Sequence, residues 1–248
     1  MAGNIHINDT VYVPCSRIPE LVDRGVALYK TIVTNVNNRS AQVSLPNGNT
    51  SNWIGFPLIH KDVGILILNI GDLVSEHGLL DPLAKSVGQF CRLLVPEDQI
   101  RQIRVRSLAE LKHFWRQEQA AYTHVIWIGH GSKTGLKFAV DGWVSPETLT
   151  KALRVHGAPK KTYLSLCCNH GYKSFGSPVS RSAICRYFIG AFHTVPGATA
   201  SQFCQSFLAS HFLEGRTPGI AFNYARESVP GKASFRLWNA GRLKAGPD

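Results

Sequence analysis

The chain lacks the features that mark a membrane-anchored or secreted protein. None of its apolar runs approaches the ~20 residues that a membrane-spanning helix needs, and the longest, VGILILNIG, has the length of a strand. The first residues, MAGNIHINDTVYV, do not have the charged-then-apolar pattern of a secretory signal. The six cysteines are spread along the chain and do not form the dense framework of a small secreted domain. We therefore expect a reducing, cytoplasmic setting and no contact with a membrane.

Sequence signals for a metal site, a repeat or a disordered tract are also missing. The chain has no Cys-x-x-Cys pair, and a hydrophobic content of 44% with 17% charged residues is typical of a globular protein. Cys167, Cys168 and His170 offer soft metal ligands, but adjacent cysteines rarely hold one tetrahedral ion. We expect neither a metal nor an organic cofactor.

Acidic residues are few, 16 against 27 lysines and arginines, which gives a net charge of +11. Such an excess is compatible with nucleic acid, with an acidic partner or with solubility alone. The basic residues are scattered and form no long run: Arg101, Arg104, Arg106, Lys160, Lys161, Arg236, Arg242 and Lys244. Nucleic acid is thus a possible partner but not the favoured one.

Residues 1–62 have the pattern of a small all-β unit. NDTVYVP alternates apolar and polar residues, and two further strand-like runs are separated by turn residues at Asn37-Asn38 and Asn47-Gly48. Asn-Gly favours a tight hairpin because both positions tolerate positive φ. Short strands with polar turns predict a small barrel, and the pattern resembles Tudor-like barrels. We expect this barrel to serve in docking or regulation and to bind a regulatory protein.

Residues 63–248 have a different pattern, in which apolar strands alternate with helical segments. VGILILNIG, IRQIRV, THVIWIGHG and KTYLSLCC read as strands, and LKFAVDGWV as a small hairpin. LLDPLAKSVGQFCRLL and SLAELKHFW have helical spacing. Ser107 with Glu110, and Ser145 with Pro146, are typical of helix starts. This alternation predicts an α/β fold with a mainly parallel sheet flanked by helices.

The rest of this region continues the alternation. SRSAICRY predicts a short helix and YFIGAFHTV a strand. A long helix begins near Thr199 and Gln202 and ends at Gly215, and its buried face carries Phe207 and Phe212. A final helix begins at Thr217-Pro218.

Two of the predicted strands end in reactive residues. VIWIGHGS delivers His130 between two glycines, and YLSLCCNHG delivers Cys167 and Cys168. Functional groups of such sheets gather beyond the carboxyl ends of the strands. If the two strands are neighbours, an imidazole meets a thiol there and can take its proton or hold the thiolate as an ion pair. The N–H groups of Gly131 and Cys168 are then candidate donors to an oxyanion.

Structural roles compete with these functional ones. Cysteine often only fills space, and alternation along the strand assigns Cys167 to the core and Cys168 to the opposite face. Cys168 can equally be an inert buried thiol, and His130 a hydrogen-bonded core histidine. We expect structural or surface roles for His124, His170, His193 and His211. Asp141 is a conceivable partner of His130, but it is left out of the predicted site.

The order of these elements resembles the caspase-like cysteine peptidases over roughly Val63 to Val229. IWIGHGS is similar to the YSGHG of metacaspases and CCNHG to their CCHSG, which implies His130 as base and Cys168 as nucleophile. The tail, with EGRTPGIAFNYA after a long helix, is similar to the GxSPxxA of the bacterial CHAT branch. The resemblance implies a cysteine endopeptidase acting on a protein substrate, a regulated effector in bacterial defence or programmed cell death. The alternative is a catalytically inactive scaffold or a basic nucleic-acid-binding module.

Two positions depart from the pattern of these families. His130 and Cys168 are 38 residues apart, short against the spacing of about 50 in caspases, so the connecting hairpin and helix must be compact. Metacaspases carry an acidic residue two positions before the nucleophile, and Leu166 occupies that position here. No preference for cleavage after Arg or Lys follows.

Overall fold

The computed structural model of the chain describes residues 5–21, 25–71, 74, 76–230 and 234–247. The strands in these ranges are β1 Thr10–Pro14, β2 Leu28–Val36, β3 Ser40–Val43, β4 Ile54–Gly55, β5 Ile65–Ile70, β6 Ile100–Val105, β7 His124–Gly129, β8 Leu136–Phe138, β9 Gly142–Val144, β10 Lys161–Ser165, β11 Cys185–Ala191, β12 Phe235–Asn239 and β13 Arg242–Ala245. The α-helices are α1 Asp81–Leu94, α2 Leu108–Glu118, α3 Pro146–Ala152, α4 Lys173–Arg181, α5 Gly197–Leu213 and α6 Pro218–Glu227. In this part of the chain, no helix combines the length and apolarity needed to cross a membrane.

A seven-stranded sheet organises the larger part of the chain. Its strand order is β13-β12-β11-β10-β7-β5-β6. The five strands from β11 to β6 are parallel to their neighbours, and β12 and β13 add an antiparallel edge. The predicted α/β fold with a mainly parallel sheet is therefore confirmed.

Helices cover both faces of this sheet, and the alternation along β7 explains why. Ile126 and Ile128 pack into a buried cluster with α1, α5 and α6, whereas Val125 and Trp127 pack into a second cluster with α2, α3 and α4. A strand covered on both faces is apolar at every position, because neither set of side chains reaches water. The same reason accounts for β5, in which all six residues are buried.

Helix starts follow the expected capping chemistry. The Ser107 hydroxyl accepts the N–H of Glu110 at the start of α2, and the Ser145 hydroxyl accepts the N–H of Thr148 at the start of α3. Each bond satisfies an N–H group that has no partner inside the helix. The carboxylate of Glu110 accepts the N–H of Arg106, one residue before the cap.

The N-terminal strands form a separate four-stranded antiparallel sheet with the order β1-β2-β3-β4. Gly48 has a φ of +82°, as the predicted Asn47-Gly48 turn requires. Among the described residues β1 and β4 are not paired with each other, so the predicted closed barrel is not confirmed. Tyr12 of β1 instead forms an isolated bridge with His60. A domain boundary at residue 62 remains a prediction.

Two parts of the C-terminal half differ from expectation. The short helix predicted over SRSAICRY is wrong: α4 lies earlier, at Lys173–Arg181, and β11 already begins at Cys185. Gly176 and Pro178 inside α4 disguise it, because both are poor helix formers in peptides. The hairpin of β12 and β13 was not anticipated, although its turn residues Ala240 and Gly241 both have positive φ, as a tight two-residue hairpin needs.

Candidate active site

The sheet brings the two predicted site residues to one level. The pairing of β10 with β7 joins Thr162 to His124 and Ser165 to Trp127, an offset of 38 residues in each case. His130 and Cys168 have the same offset and lie three positions beyond the last pair. The pairing extends past the strand ends, since the N–H of Leu166 donates to the carbonyl of Trp127 at 2.8 Å. Both residues thus follow the carboxyl ends of adjacent parallel strands.

Close backbone packing holds the two strand ends together at Gly131. A Cβ atom at this position would contact the backbone oxygen of Cys168 and would lie 2.7 Å from Nε2 of His170. Carbon atoms do not approach that closely, so only glycine fits here. No backbone hydrogen bond of the described residues uses the N–H of Gly131 or Cys168 as its donor. Both N–H groups are available to a ligand.

The two adjacent cysteines have different environments. Cys167 is 0% exposed, and its Sγ lies 3.7 Å from the carbonyl oxygen of Trp127. Burial raises the pKa of the Cys167 thiol to about 12, which keeps it protonated and unreactive at neutral pH. Cys168 is partly exposed, whereas the other five cysteines of the chain are buried, and all six are free. The structural role expected of Cys167 is confirmed.

His130 is partly exposed at the end of β7. Its carbonyl oxygen accepts the N–H of Lys137 at 3.0 Å, which closes a short loop over residues 130–137. Within the described chain, its imidazole makes no hydrogen bond with the thiol of Cys168. Catalytic hydrogen bonds are often long or poorly aligned in free enzymes and tighten when substrate binds.

Asp141 has a different role from that of an orienting acid. Its Oδ2 atom accepts the N–H of Leu108 at 2.7 Å and thereby adds to the N-terminal cap of α2. This carboxylate is engaged in the hairpin after the His130 loop, and its omission from the predicted site agrees with this contact.

A second imidazole lies at the same level on the other side of Cys168. The pairing of β10 with β11 joins Ser165 to Gly190, an offset of 25 residues, and His193 has this offset from Cys168. The N–H of Asn169 donates to the carbonyl of His193 at 3.4 Å. His193 is exposed and packs on Phe192, with ring centroids 4.2 Å apart. Sequence reasoning treated it as structural or surface, because its proximity to Cys168 depends on the order of β10 and β11.

The remaining histidines are buried and bonded within the protein. His170 is 0% exposed, and its two ring nitrogens face Ser165 and the carbonyl of Gly135. His124 and His211 lie at the opposite end of the sheet, where burial lowers the pKa of both rings. Among the described residues, no group of three or more His, Cys, Asp or Glu residues is arranged to hold a metal ion.

Comparisons with known proteins give one structural similarity. No family model matches the chain, and no curated protein matches it. Among solved structures, the chain is similar to a secreted C11 cysteine protease from Bacteroides thetaiotaomicron, iotapain, with a TM-score of 0.49 and 8% sequence identity. The similarity covers 72% of this chain and 66% of that one, slightly less than two thirds of its length. At this level the similarity does not assign an activity to the chain.

Proposed function

We propose that the protein is a caspase-like cysteine endopeptidase in which Cys168 is the nucleophile and His130 the general base and acid. The observation that carries this proposal is the common offset that puts His130 and Cys168 level beyond two neighbouring parallel strands. The exposure of Cys168, in contrast to the five buried thiols, supports the same choice of nucleophile.

The reaction proceeds through a thioester. His130 accepts the thiol proton of Cys168, and the thiolate sulfur forms a bond to the scissile carbonyl carbon. The oxyanion accepts hydrogen bonds from the N–H groups of Gly131 and Cys168. The tetrahedral intermediate collapses, the C–N bond breaks, and His130 gives its proton to the leaving amine. His130 then takes a proton from water, which attacks the thioester and releases the carboxylic acid and the free thiol.

The substrate in this proposal is a protein chain, without a stated preference at the cleaved bond. Leu166, at the position of the metacaspase acidic residue, is buried in the cluster under α1, α5 and α6. A side chain there cannot contact substrate. The proposal further assigns a cytoplasmic effector of the CHAT type, in keeping with six free cysteines, and a docking or regulatory role for the N-terminal sheet.

The experiment that tests the function compares two pairs of variants in the cleavage of an unfolded protein such as casein. Cys168→Ala and His130→Ala are expected to lower kcat/KM by at least about 10³-fold, since each removes one member of the dyad. Cys167→Ala and His193→Ala are matched controls, one the neighbouring sulfur and the other the imidazole on the opposite flank. We expect both controls to stay within about fivefold of the unaltered protein.

The same comparison identifies the competing possibilities. Activity that persists in Cys168→Ala but is lost in Cys167→Ala would reassign the nucleophile. Loss in His193→Ala with retention in His130→Ala would reassign the base. An unaltered protein that cleaves no substrate, with DNA or RNA binding that survives Cys168→Ala and weakens steeply with salt, would favour the basic binding module.

A further inference from the structure

His170 occupies a position between the two segments that carry the proposed dyad. It lies two residues after Cys168, is 0% exposed and stacks on Phe175, with ring centroids 3.6 Å apart and an angle of 11° between the planes. Its Nδ1 atom is 2.7 Å from Oγ of Ser165, and its Nε2 atom is 3.1 Å from the carbonyl oxygen of Gly135. Both ring nitrogens are therefore bonded, one on each side of the site.

The chemistry of these partners fixes the tautomer of His170. A carbonyl oxygen only accepts hydrogen bonds, so Nε2 carries the proton and donates to Gly135. Nδ1 then accepts from the hydroxyl of Ser165, whose oxygen accepts the N–H of Cys167 at 3.4 Å. Burial lowers the pKa of His170 to about 3, so that the ring is neutral and keeps this arrangement at neutral pH.

These bonds connect the strand that carries the nucleophile to the loop that carries the base. The carbonyl of Gly135 also accepts the N–H of Ser132 at 2.9 Å, inside the loop closed by Lys137 and His130. A rigid ring thus spans from the cysteine strand, through Ser165, to the inner side of the His130 loop. Gly131, which a Cβ would drive into this ring, lies directly against it.

We propose that His170 is a positioning residue, which holds the loop of His130 against the turn of Cys168 through its hydrogen bond to Gly135 and thereby sets the geometry of the dyad. This inference rests on the proposed function and deepens it. His170 contacts neither substrate nor the reacting atoms. Its contribution is to orientation, where a displacement of about 1 Å can cost on the order of 100-fold in rate.

Three substitutions separate the hydrogen bond to Gly135 from the packing of the ring. His170→Phe keeps an aromatic ring against Phe175 but removes both hydrogen bonds. His170→Gln restores an N–H donor near the position of Nε2. His170→Asn is one methylene shorter, so its amide can face Ser165 but cannot reach Gly135. Asn is therefore the matched control for Gln, and it keeps the inference testable if the Phe variant does not fold.

The measurement is kcat and KM for casein cleavage across pH, with thermal unfolding as a check of the fold. In His170→Phe and His170→Asn we expect kcat to fall at least about tenfold, KM to change less than about threefold, and the acid limb of the kcat/KM profile, which reports the base, to shift. His170→Gln should recover most of the loss. Equal kcat in the Gln and Asn variants, or kcat within about twofold of the unaltered protein in all three, would overturn the inference.

Amide hydrogen exchange separates this inference from the proposed function, because it needs no catalysis. Faster exchange of the N–H groups of Ser132 and Lys137 is expected in the Asn variant, with slower exchange regained in the Gln variant. If the unaltered protein is inactive but this pattern is found, the clamp stands and the peptidase proposal fails. If exchange at these two amides is the same in all variants, the clamp is wrong whatever the activity.

Discussion

Cys167 and Cys168 are adjacent in the chain but lie on opposite sides of the strand end, one fully buried and the other partly exposed to solvent. The Sγ of Cys167 faces the carbonyl of Trp127 inside the layer covered by α2, α3 and α4. Successive residues of an extended strand point to opposite faces, which is why the two thiols differ so much in environment. Their chemical reactivity should differ accordingly.

The first expectation concerns labelling of the six cysteines by iodoacetamide at pH 7. Burial raises the pKa of Cys91 and of Cys167 to about 12, which leaves about one thiol in 10⁵ ionised at neutral pH. Cys168 should be alkylated at least about 100-fold faster than these two, because the thiolate is the reactive form and reagent must reach it. Peptide mapping by mass spectrometry at short reaction times measures each rate, and labelling of Cys91 as fast as that of Cys168 would contradict the assignment.

A second expectation concerns the close packing at Gly131. Gly131→Ala puts a methyl group within 2.7 Å of His170 and against the backbone of Cys168, so either the loop or the cysteine turn must shift. We expect a loss of about 1–3 kcal/mol in the free energy of unfolding, as for other overpacked sites. Cleavage should fall more than stability suggests, since the same shift separates His130 from Cys168. Urea unfolding and casein cleavage, both measured on the same preparation, test this.

Gly219→Ala is the matched control for this substitution. A Cβ at Gly219 meets no atom within 4 Å, and the residue lies in the first turn of α6, where alanine is the better helix former. This variant should be as stable as the unaltered protein or more so, with unchanged activity. Equal behaviour of the two alanine variants would mean that the contact at Gly131 is not restrictive.

Most of the fold is predictable from the sequence because its strands carry strong local signals. β5, β6 and β7 are short apolar runs bounded by glycine or polar residues, and each was predicted where it occurs. α4 was missed because Gly176 and Pro178 weaken its helical signal, and packing of Phe175 and Val179 in the core stabilises it instead. The edge strands β12 and β13 were missed because they pair with each other and with β11, which is a non-local contact.

The site was only half accessible to sequence reasoning. Residue types and strand ends suggested His130 and Cys168, but whether they are level depends on which strands are neighbours, and only the sheet order fixes that. His193 and His170 were grouped together as structural or surface residues, although one is exposed beside Cys168 and the other is buried. Ser165 and the carbonyl of Gly135 carry no sequence signal, since any strand or loop contains such groups.

A third expectation concerns stability at mildly acidic pH. Burial lowers the pKa of His60 to about 4, against a reference of 6.5, and its Nε2 atom lies 2.9 Å from the carbonyl of Phe212. The unfolded chain therefore binds a proton at this residue before the folded chain does. The stabilisation is fully present above about pH 6.5 and is lost as pH falls towards 4, by on the order of 3 kcal/mol for this residue. His124 and His211 have pKa values lowered in the same direction.

Urea unfolding at pH 5 and pH 7.5 measures this dependence. In His60→Phe the aromatic contact with Phe212 can persist, but the titrating group is gone, so the loss of stability between the two pH values should be smaller than in the unaltered protein. His6→Phe is the matched control, since His6 is exposed and should leave the difference unchanged. An identical difference in all three proteins would assign the acid sensitivity to other groups.

A fourth expectation concerns removal of the N-terminal sheet. Tyr12 and Leu28 belong to the same buried cluster as the residues of α1 and α5, and the N–H of Ala27 donates to the carbonyl of Leu93 at 2.8 Å. The segment 63–248 produced alone would expose this apolar surface, at about 25 cal/mol per Å². Its midpoint of thermal unfolding should therefore be lower than that of the full chain, and it should self-associate. Equal midpoints and a monomeric segment 63–248 would show instead that the N-terminal sheet is an independent module, joined to the catalytic part only through the chain.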